Sequence, residues 1–437
     1  MTTKPKQLGI FTILATVVGT VIGGGAFFKI ASVTALTGSP GLTLFVWFLA
    51  GVITMMAGLT VAELAAAFPQ AGGPVLYLEK IFGPRTSFLL GWALIIIYYP
   101  ANMAALAIVF AQQAQHLGWN FGLSPSILAG IVVLTIILIN ALGSQVSGKL
   151  QQITLIIKLI PIFAIILMTL FAPQKTQSVS FWPLSHASAP NFAVALGQGL
   201  LATLFAYDGW ISIGNLAGEM KKPAKLLTQA MIGGVGLITI IYLFLNWSFL
   251  KLLPFSQIMN NPNTAAMSAE KLFGAGGGKL VTFGILISVY GAINGYCLTG
   301  SRLPQTMGAK KQIFAAKFFA YQNPHSFAPT HSLWFEGAIA LLMIATGSFD
   351  SLTDMLVYIF WIFSILLFIG VFKLRIQQPE LLRPYKILFY PWPPVIALLG
   401  GIFIVVTTTI TQPLLSLTGI GLTLIGLPIY YAQQRWN

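Results

Sequence analysis

The stretch Gly19-Thr20-Val21-Ile22-Gly23-Gly24-Gly25-Ala26-Phe27 sets three consecutive glycines inside a long apolar segment near the start of the chain. A second apolar segment, about halfway along, is interrupted by Phe205-Ala206-Tyr207-Asp208-Gly209-Trp210. Backbone leaves helical geometry inside a bilayer only where it is buried in protein or lines a cavity. Two interrupted helices in corresponding halves of a chain are typical of a transporter's binding site. The two interruptions therefore predict where a ligand binds.

Composition indicates an all-α polytopic membrane protein. Of the 437 residues, 57% are hydrophobic and 7% are charged, whereas a soluble globular protein has about 25% charged residues. Many segments exceed the roughly 20 apolar residues that a helix needs to cross a bilayer. No polar stretch is long enough for a soluble domain, so we expect one transmembrane domain over residues 1–437. The first segment lacks a small-residue cleavage site and is expected to remain as a helix.

Twelve apolar segments, separated by clusters of Gly, Pro and Ser, are expected to span the lipid bilayer. They cover about residues 8–35, 41–68, 85–115, 124–142, 146–172, 190–216, 226–253, 278–308, 332–347, 351–374, 391–410 and 413–433. The polar connection after the eighth segment contains Lys310–Phe319, whose pattern predicts an amphipathic helix at the membrane surface.

The distribution of basic residues predicts the orientation. The N-terminus, the even-numbered loops and the C-terminus together hold 17 Lys and Arg side chains, and the odd-numbered loops hold 5, Lys29 among them. Because positive residues stay on the cytoplasmic side, we expect both termini to be cytoplasmic. The net charge of +14 then reflects topology, and we expect no nucleic-acid partner.

The two interruptions fall in segments one and six, which favours two repeats of five helices each. The repeats would cover about 8–172 and 190–374, with two further helices over about 391–433. An odd number of spans turns the second repeat upside down relative to the first. Inverted repeats with broken helices imply alternating access around a site at the middle of the membrane.

The first interruption is suited to bind a carboxylate. Glycines at Gly23, Gly24 and Gly25 allow an unwound turn and let a ligand reach backbone. The N–H groups at the start of the following half-helix carry the positive end of its dipole, which favours an anion. The alternative is close helix packing through small residues.

The second interruption is suited to bind an ammonium group. A half-helix ending near Phe205 leaves the carbonyls of Phe205, Ala206 and Asp208 without partners inside the helix. Together the two interruptions describe a receptor for an α-amino acid. The Phe205 ring could cover the ligand or belong to ordinary packing.

Two charged residues lie at membrane depth, where such residues are costly and usually functional. Asp208 could contact a substrate amine, relay a proton or pair within the protein. Lys158 could take the place of a sodium ion beside the unwound first helix. It could also form a fixed pair, for example with Asp208.

Four other polar residues in the apolar segments have less specific interpretations. Asn102 and Asn294 could line the pocket or join helices by hydrogen bonds. Glu63 and Glu336 are expected to make packing or gating contacts rather than to bind substrate.

The sequence gives no sign of a metal, a cofactor or an enzyme. Its four histidines do not cluster with other metal-ligand residues, and Cys297, the single cysteine, allows no intramolecular disulfide. An enzyme or a sensor is the alternative class. The enzyme interpretation lacks a metal cluster, a nucleophile–base pair and a catalytic domain.

Further motifs extend the pattern along the chain. They are Ala62-Glu63-Leu64 leading to Phe68-Pro69-Gln70-Ala71-Gly72-Gly73, Gly218-Glu219-Met220-Lys221-Lys222-Pro223, Gly291-Ala292-Ile293-Asn294-Gly295 with Ser301-Arg302, and Arg383-Pro384-Tyr385-Lys386. On these motifs and the two interruptions, the chain resembles the amino acid–polyamine–organocation (APC) superfamily. Within it, the chain resembles bacterial serine/threonine and alanine-serine-cysteine exchangers of the L-amino acid transporter (LAT) branch.

The resemblance implies a fold and an activity. The fold is LeuT-like, with twelve helices, a 5+5 inverted repeat and broken helices 1 and 6. The activity is sodium-independent antiport of small neutral L-amino acids across a bacterial cytoplasmic (inner) membrane. Proton-coupled symport through Asp208 or Glu63 is an alternative. A transporter of cationic amino acids or polyamines is another, if Asp208 points into the pocket.

The resemblance also assigns roles to individual residues. The substrate carboxylate would bind the backbone of Val21, Gly24 and Gly25 at the first interruption. The amine would bind the carbonyls of Phe205, Ala206 and Asp208 at the second, with Phe205 as a gate. The family's lysine of span five falls on Lys158. Many relatives have serine where Gly24 stands, so a hydroxyl contact is missing here. Animal members bond to a glycoprotein through an extracellular cysteine; Cys297 lies within a span, so we expect no such partner.

Overall fold

The computed structural model describes most of the chain. The described residues are Leu14, Val18, Gly19, 21–68, Gln70, 72–119, 122–172, Ala189, 191–210, Leu226 and 228–436. The predicted motif at 218–223, the last residues of segment six from 211 onward and the start of segment one lie outside them.

All regular structure in these ranges is helical. In chain order the α-helices are α1 Gly25–Thr37, α2 Pro40–Ala67, α3 Gly73–Phe82, α4 Pro84–Ala93, α5 Tyr99–His116, α6 Pro125–Ala141, α7 Ser144–Ile157, α8 Leu159–Phe171, α9 Phe192–Ala206, α10 Gly236–Leu252, α11 Phe255–Ile258, α12 Thr264–Gly300, α13 Arg302–Ala309, α14 Ala316–Phe319, α15 Thr330–Thr346, α16 Phe349–Gln377, α17 Trp392–Thr411, α18 Pro413–Leu424 and α19 Gly426–Trp436. Wider π-helical turns occupy Leu94–Tyr98 and Ala230–Val235.

Within the described residues, eight continuous helical segments are long and apolar enough to cross a membrane. They are Pro40–Ala67, Pro84–His116, Gln145–Phe171, Met231–Leu252, Thr264–Ala309, Phe349–Gln377, Trp392–Thr411 and Pro413–Gln433. Three shorter apolar helices accompany them, namely α1, α6 and α9. The chain is therefore a multi-helix membrane protein, as its composition predicts.

Helix ends follow the local sequence. Ser39, Ser124, Asn191 and Ser348 each precede a helix, and each side chain accepts a hydrogen bond from a backbone N–H of the first turn, which satisfies groups that have no partner inside the helix. Gly38 ends α1 in the left-handed conformation, with φ of 62°, which glycine adopts without strain.

Two local expectations need correction. The segment Lys310–Phe319 does not form one amphipathic helix, because only α14, a single turn, is helical there. Ile313 and Phe319 are nevertheless buried, while Phe314 and Phe318 are exposed. The segment therefore packs one set of its apolar side chains against the protein and presents another outward. The helix α3, between the second and third apolar segments, was not expected.

The site is built from helices at the centre of the bundle. The helix α1 packs along α9, and α5 packs along α12, while the helices α17 and α18 present large apolar side chains outward. Pro100, in the first turn of α5, has no N–H and its ring displaces the preceding turn, which fits the wider π-helical turn at Leu94–Tyr98. This turn sets the positions of Tyr98 and Tyr99.

Candidate functional site

The first predicted interruption is present in the structure. Helical geometry ends at Val21, residues 22–24 are irregular and α1 starts at Gly25. The Gly24 carbonyl accepts the N–H groups of Phe27 and Phe28 at 3.0 and 3.2 Å, so it caps the half-helix. The N–H groups of Gly25 and Ala26, at the start of α1, have no acceptor inside their own helix. The sequence predicts that N–H groups at this position bind a carboxylate.

The second predicted interruption is also present. The helix α9 ends at Ala206, and a turn follows through Gly209, whose φ of 99° is accessible mainly to glycine. The Phe205 carbonyl accepts the Asp208 N–H at 3.2 Å. The Tyr207 N–H also donates to this carbonyl, so the turn itself uses the Phe205 oxygen twice.

The two interruptions contact one another directly. A Cβ atom on Gly25 would lie 2.6 Å from the Cα atom of Ala206, which is closer than any van der Waals contact. A side chain at Gly25 is therefore excluded by backbone. At Gly24, a Cβ atom would lie 2.7 Å from Cδ2 of Leu106, the end of a flexible side chain.

A tyrosine that the sequence did not single out joins the two interruptions. The hydroxyl of Tyr242, on α10, lies 2.8 Å from the Ala206 carbonyl oxygen and 3.3 Å from that of Val21. The ring of Tyr242 packs edge-on against Trp47 and Tyr207. Tyrosine in an apolar segment gives no signal of such a role, because packed and hydrogen-bonding tyrosines look the same in sequence.

Lys158 lies between α7 and α8 and is buried. Its ammonium group donates a hydrogen bond to the carbonyl of Gly19, which is the part of the first helix just before the interruption. Lys158 thus lies beside the first helix, and its role as a substitute for sodium stays a prediction. No ion pair between Lys158 and Asp208 is formed.

Asp208 is held by tyrosines instead. The hydroxyls of Tyr98 and Tyr296 both donate to Oδ2 of Asp208, the second at 3.2 Å. The carboxylate thus links α9 to the turn before α5 and to α12. Neither tyrosine was expected, since they lie 110 and 88 residues from Asp208 in the chain.

The predicted asparagines play different parts. Asn294 joins three helices, since its amide donates to the Ser147 carbonyl at 3.0 Å and its oxygen accepts from Asn140 at 2.9 Å. This arrangement agrees with the helix-joining interpretation. Asn102 donates to the Tyr98 carbonyl of its own helix at 3.0 Å. Its buried oxygen has no hydrogen-bond partner among the described residues.

Ion pairs lie near both ends of α16. Lys29 is not a loop residue, which corrects its assignment to an odd-numbered loop. It lies within α1, is fully buried, and pairs with Asp350 at 2.7 Å and Asp354 at 3.4 Å on α16. Its ammonium group is 5.7 Å from the ring centre of Phe205, which packs edge-on against Phe349.

The other ion pair is formed by Glu63, in α2. Arg375, near the other end of α16, donates to both carboxylate oxygens of Glu63, and the Ile387 N–H lies 2.9 Å from one of them. The helix α16 is therefore tied to α1 at one end and to α2 at the other, which agrees with the expected packing or gating role of Glu63.

The described residues hold no group of three or more His, Cys, Asp and Glu side chains arranged to bind a metal ion. Cys297 is buried within α12.

Comparison with known proteins assigns the chain to a class. A family model described as amino acid permease matches residues 8–431. The serine/threonine exchanger SteT of Bacillus subtilis (strain 168) is 37% identical over 432 residues, covering 98% of this chain and 97% of the relative. The large neutral amino acids transporter small subunit 2 of Homo sapiens is 28% identical, with 99% and 81% covered. The b(0,+)-type amino acid transporter 1 of Mus musculus is 26% identical, with 94% and 84% covered.

Proposed function

Because this chain belongs to the amino acid permease family, we propose that it is a sodium-independent antiporter of small neutral L-amino acids such as serine, threonine and alanine. The observation that carries the proposal is the contact of Gly25 with Ala206. It brings helix-start N–H groups and helix-end carbonyls together. The carboxylate and ammonium of an α-amino acid are separated by one carbon atom, so a site for both must be equally compact.

The proposed substrate contacts follow from this arrangement. The carboxylate binds backbone around Val21, Gly23, Gly24 and Gly25, where N–H groups and the helix dipole favour an anion. The amine binds carbonyl oxygens at the end of α9, on the residues Phe205, Ala206 and Asp208. The serine/threonine exchanger of Bacillus subtilis supports a small neutral substrate.

The proposed architecture has twelve membrane-spanning helices. Repeats over about 8–172 and 190–374 are inverted relative to each other, in a LeuT-like arrangement with broken helices 1 and 6. Both termini face the cytoplasm of a bacterial cell, because the excess of Lys and Arg lies on their side. Access to the site alternates between the two faces of the membrane.

Lys158 is the proposed substitute for sodium. Its ammonium group donates to the Gly19 carbonyl, so it supplies a fixed positive charge to the backbone beside the carboxylate site. A carrier with this charge built into the protein needs no sodium ion there. Sodium-independent transport is the expected consequence.

A cationic substrate is less well supported. A second positive charge on the substrate would need a carboxylate available in the pocket. The nearest candidate, Asp208, already accepts hydrogen bonds from Tyr98 and Tyr296 on one oxygen. Proton-coupled symport through Glu63 is likewise less supported, because Arg375 and the Ile387 N–H occupy its oxygens.

Counterflow in proteoliposomes tests the proposal. Vesicles containing the purified protein are loaded with unlabelled serine or left empty, and labelled serine, threonine, alanine, leucine and lysine are added outside in choline buffer. An exchanger of small neutral amino acids takes up labelled serine, threonine and alanine only into loaded vesicles. Equal uptake into empty vesicles would contradict exchange, and uptake of lysine above serine would contradict a neutral substrate.

A proton gradient separates the remaining alternative. An inward gradient imposed on empty vesicles leaves uptake at background if the protein is an exchanger. Concentrative uptake that collapses with a proton ionophore would replace antiport by symport.

A further inference from the structure

Glu336 is a buried acid whose carboxyl group lacks the cation or hydroxyl partners that the other acids of the bundle named below have. It lies in α15 with 3% of its surface exposed, and neither carboxyl oxygen has a hydrogen-bond partner among the described residues. By contrast Glu63, Asp208, Asp350 and Asp354 each interact with a cation or with hydroxyl groups.

The surroundings of Glu336 are shaped to hold a carboxyl group. A Cβ atom on Gly300 would lie 2.2 Å from Oε1 of Glu336 and 2.7 Å from Cγ of Tyr99. The carboxyl therefore occupies space that exists because position 300 has no side chain. Any other residue at Gly300 would displace it.

No cation reaches the carboxyl group in the described structure. The titratable groups that act on it from neighbouring helices are Tyr99 and Cys297. Arg302, the nearest cation along α12 and α13, donates to the carbonyl of Leu298 instead. On the same helix, His331 is stacked between the rings of Phe318 and Tyr321.

Physical chemistry then favours one form of this group. An ionised carboxylate without a cation or hydrogen-bond donor is very costly in a low-dielectric interior, and such a group becomes neutral instead. Acids at membrane depth with no partner are functional candidates by default.

A short chain of rings connects Glu336 with the candidate site. Tyr99 packs edge-on against Tyr98 at 5.1 Å between ring centres, and Tyr98 donates to Asp208 at the end of α9. Two side chains, those of Tyr99 and Tyr98, therefore separate Glu336 from Asp208 in the second interruption. A change of charge at Glu336 can reach Asp208 through them.

We propose that Glu336 is a proton-binding site whose occupancy controls the rate of transport. Where its surroundings exclude water, as in the arrangement described here, the carboxyl carries a proton. Where the cycle opens this region to water, the proton can leave, and the carboxylate must take up a proton again before the helices close. Raising the pH therefore lowers the transport rate, because the closed arrangement binds one more proton than the open one.

Infrared difference spectroscopy on the purified protein in lipid vesicles tests proton binding without using transport. The wild-type protein is expected to show an absorption band of a protonated carboxyl group that titrates with pH. The variant Glu336→Gln loses this band, and the control Glu270→Gln, which removes an exposed acid, keeps it. An unchanged band in Glu336→Gln would overturn the proposal. If Glu336→Gln fails to fold, Glu336→Asp serves instead and is expected to shift the band.

The transport arm rests on the proposed function. Exchange by the wild-type protein is expected to fall at least about threefold between about pH 5 and about pH 8, and Glu336→Gln flattens this fall to less than about 1.5-fold. Glu270→Gln follows the wild type. Identical pH profiles for wild type and Glu336→Gln would overturn control of transport by this proton. If counterflow fails, the infrared result still decides whether Glu336 binds a proton.

Discussion

The hydroxyl of Tyr242 lies 2.8 Å from the carbonyl oxygen of Ala206, and the same hydroxyl is 3.3 Å from the carbonyl of Val21. One side chain on an unbroken helix thus contacts the backbone of both interruptions. Its ring is fixed by edge-on packing against Trp47 and Tyr207, at 5.3 and 5.1 Å between ring centres. The spacing of the two interruptions is therefore set by packed aromatic side chains, of which Tyr207 belongs to the second interruption and Trp47 and Tyr242 lie outside both.

The variant Tyr242→Phe keeps the ring and removes the hydroxyl. We expect exchange to fall about fivefold, because one buried hydrogen bond contributes about 1 kcal/mol. Labelled serine uptake into serine-loaded vesicles measures the effect. Tyr358→Phe is the matched control, since the Tyr358 hydroxyl is 2.8 Å from Thr409 in another part of the bundle. Equal loss of exchange in the two variants would show that Tyr242 has no special role.

The variant Lys158→Ala removes the cation that contacts the Gly19 carbonyl. A hydrogen bond to a charged group contributes about 1.5–3 kcal/mol, so exchange should fall by at least about tenfold while the protein remains folded. Lys251→Ala is the matched control, because Lys251 also donates to a backbone carbonyl, that of Thr169 at 2.8 Å. Wild-type exchange should be the same in sodium and in choline buffer. Unchanged exchange in Lys158→Ala would leave the lysine a structural role only.

The variant Gly25→Ala introduces a methyl group 2.6 Å from the Cα atom of Ala206. Backbone cannot move aside as a flexible side chain can, so the two interruptions separate, at a cost of about 1–3 kcal/mol. Exchange should be lost or fall by more than about tenfold, with a lower unfolding temperature. Gly421→Ala is the control, because a Cβ atom there meets no atom within 4 Å. Normal exchange by Gly25→Ala would contradict the close contact of the two helices.

The interruptions themselves were predictable because glycine and apolar residues act locally. Three glycines in an apolar run indicate a break whatever surrounds them, and the structure has irregular backbone at residues 22–24. Helix limits such as Pro40–Ala67 follow from similar local signals. The position of Lys158 was predictable in part, because a lysine in mid-segment needs an oxygen partner and the unwound helix supplies one.

The partners of the charged groups were not predictable from one sequence. Lys29 is separated from Asp350 by 321 residues, and nothing in the sequence near either residue indicates that the two are neighbours. Asp208 could have paired with Lys158 on charge alone, but the fold gives it the hydroxyls of Tyr98 and Tyr296. Such pairs depend on which helices are neighbours, and periodicity contains no information about that.

Lys29 offers a test of the ion pairs that tie α1 to α16. It is fully buried, whereas the side chains of Asp350 and Asp354 are 52% and 13% exposed. Replacement of Lys29 by Met leaves Asp354 without its cation in a mostly buried place, and breaking such a pair costs about 3–5 kcal/mol. We expect Lys29→Met to lower the unfolding temperature and to reduce exchange.

The double variant Lys29→Met with Asp354→Asn removes both charges together. It should regain much of the stability that Lys29→Met loses, because no uncompensated charge remains beside the helix. Thermal unfolding followed by intrinsic fluorescence measures both variants, with the exposed Lys279→Met as the control. If the double variant were no more stable than Lys29→Met, the loss would come from packing of the lysine stem. If exchange returned together with stability, the ion pair would serve only to hold α1 against α16. If stability returned but exchange stayed low, the charges themselves would take part in the separation of α1 from α16 during transport.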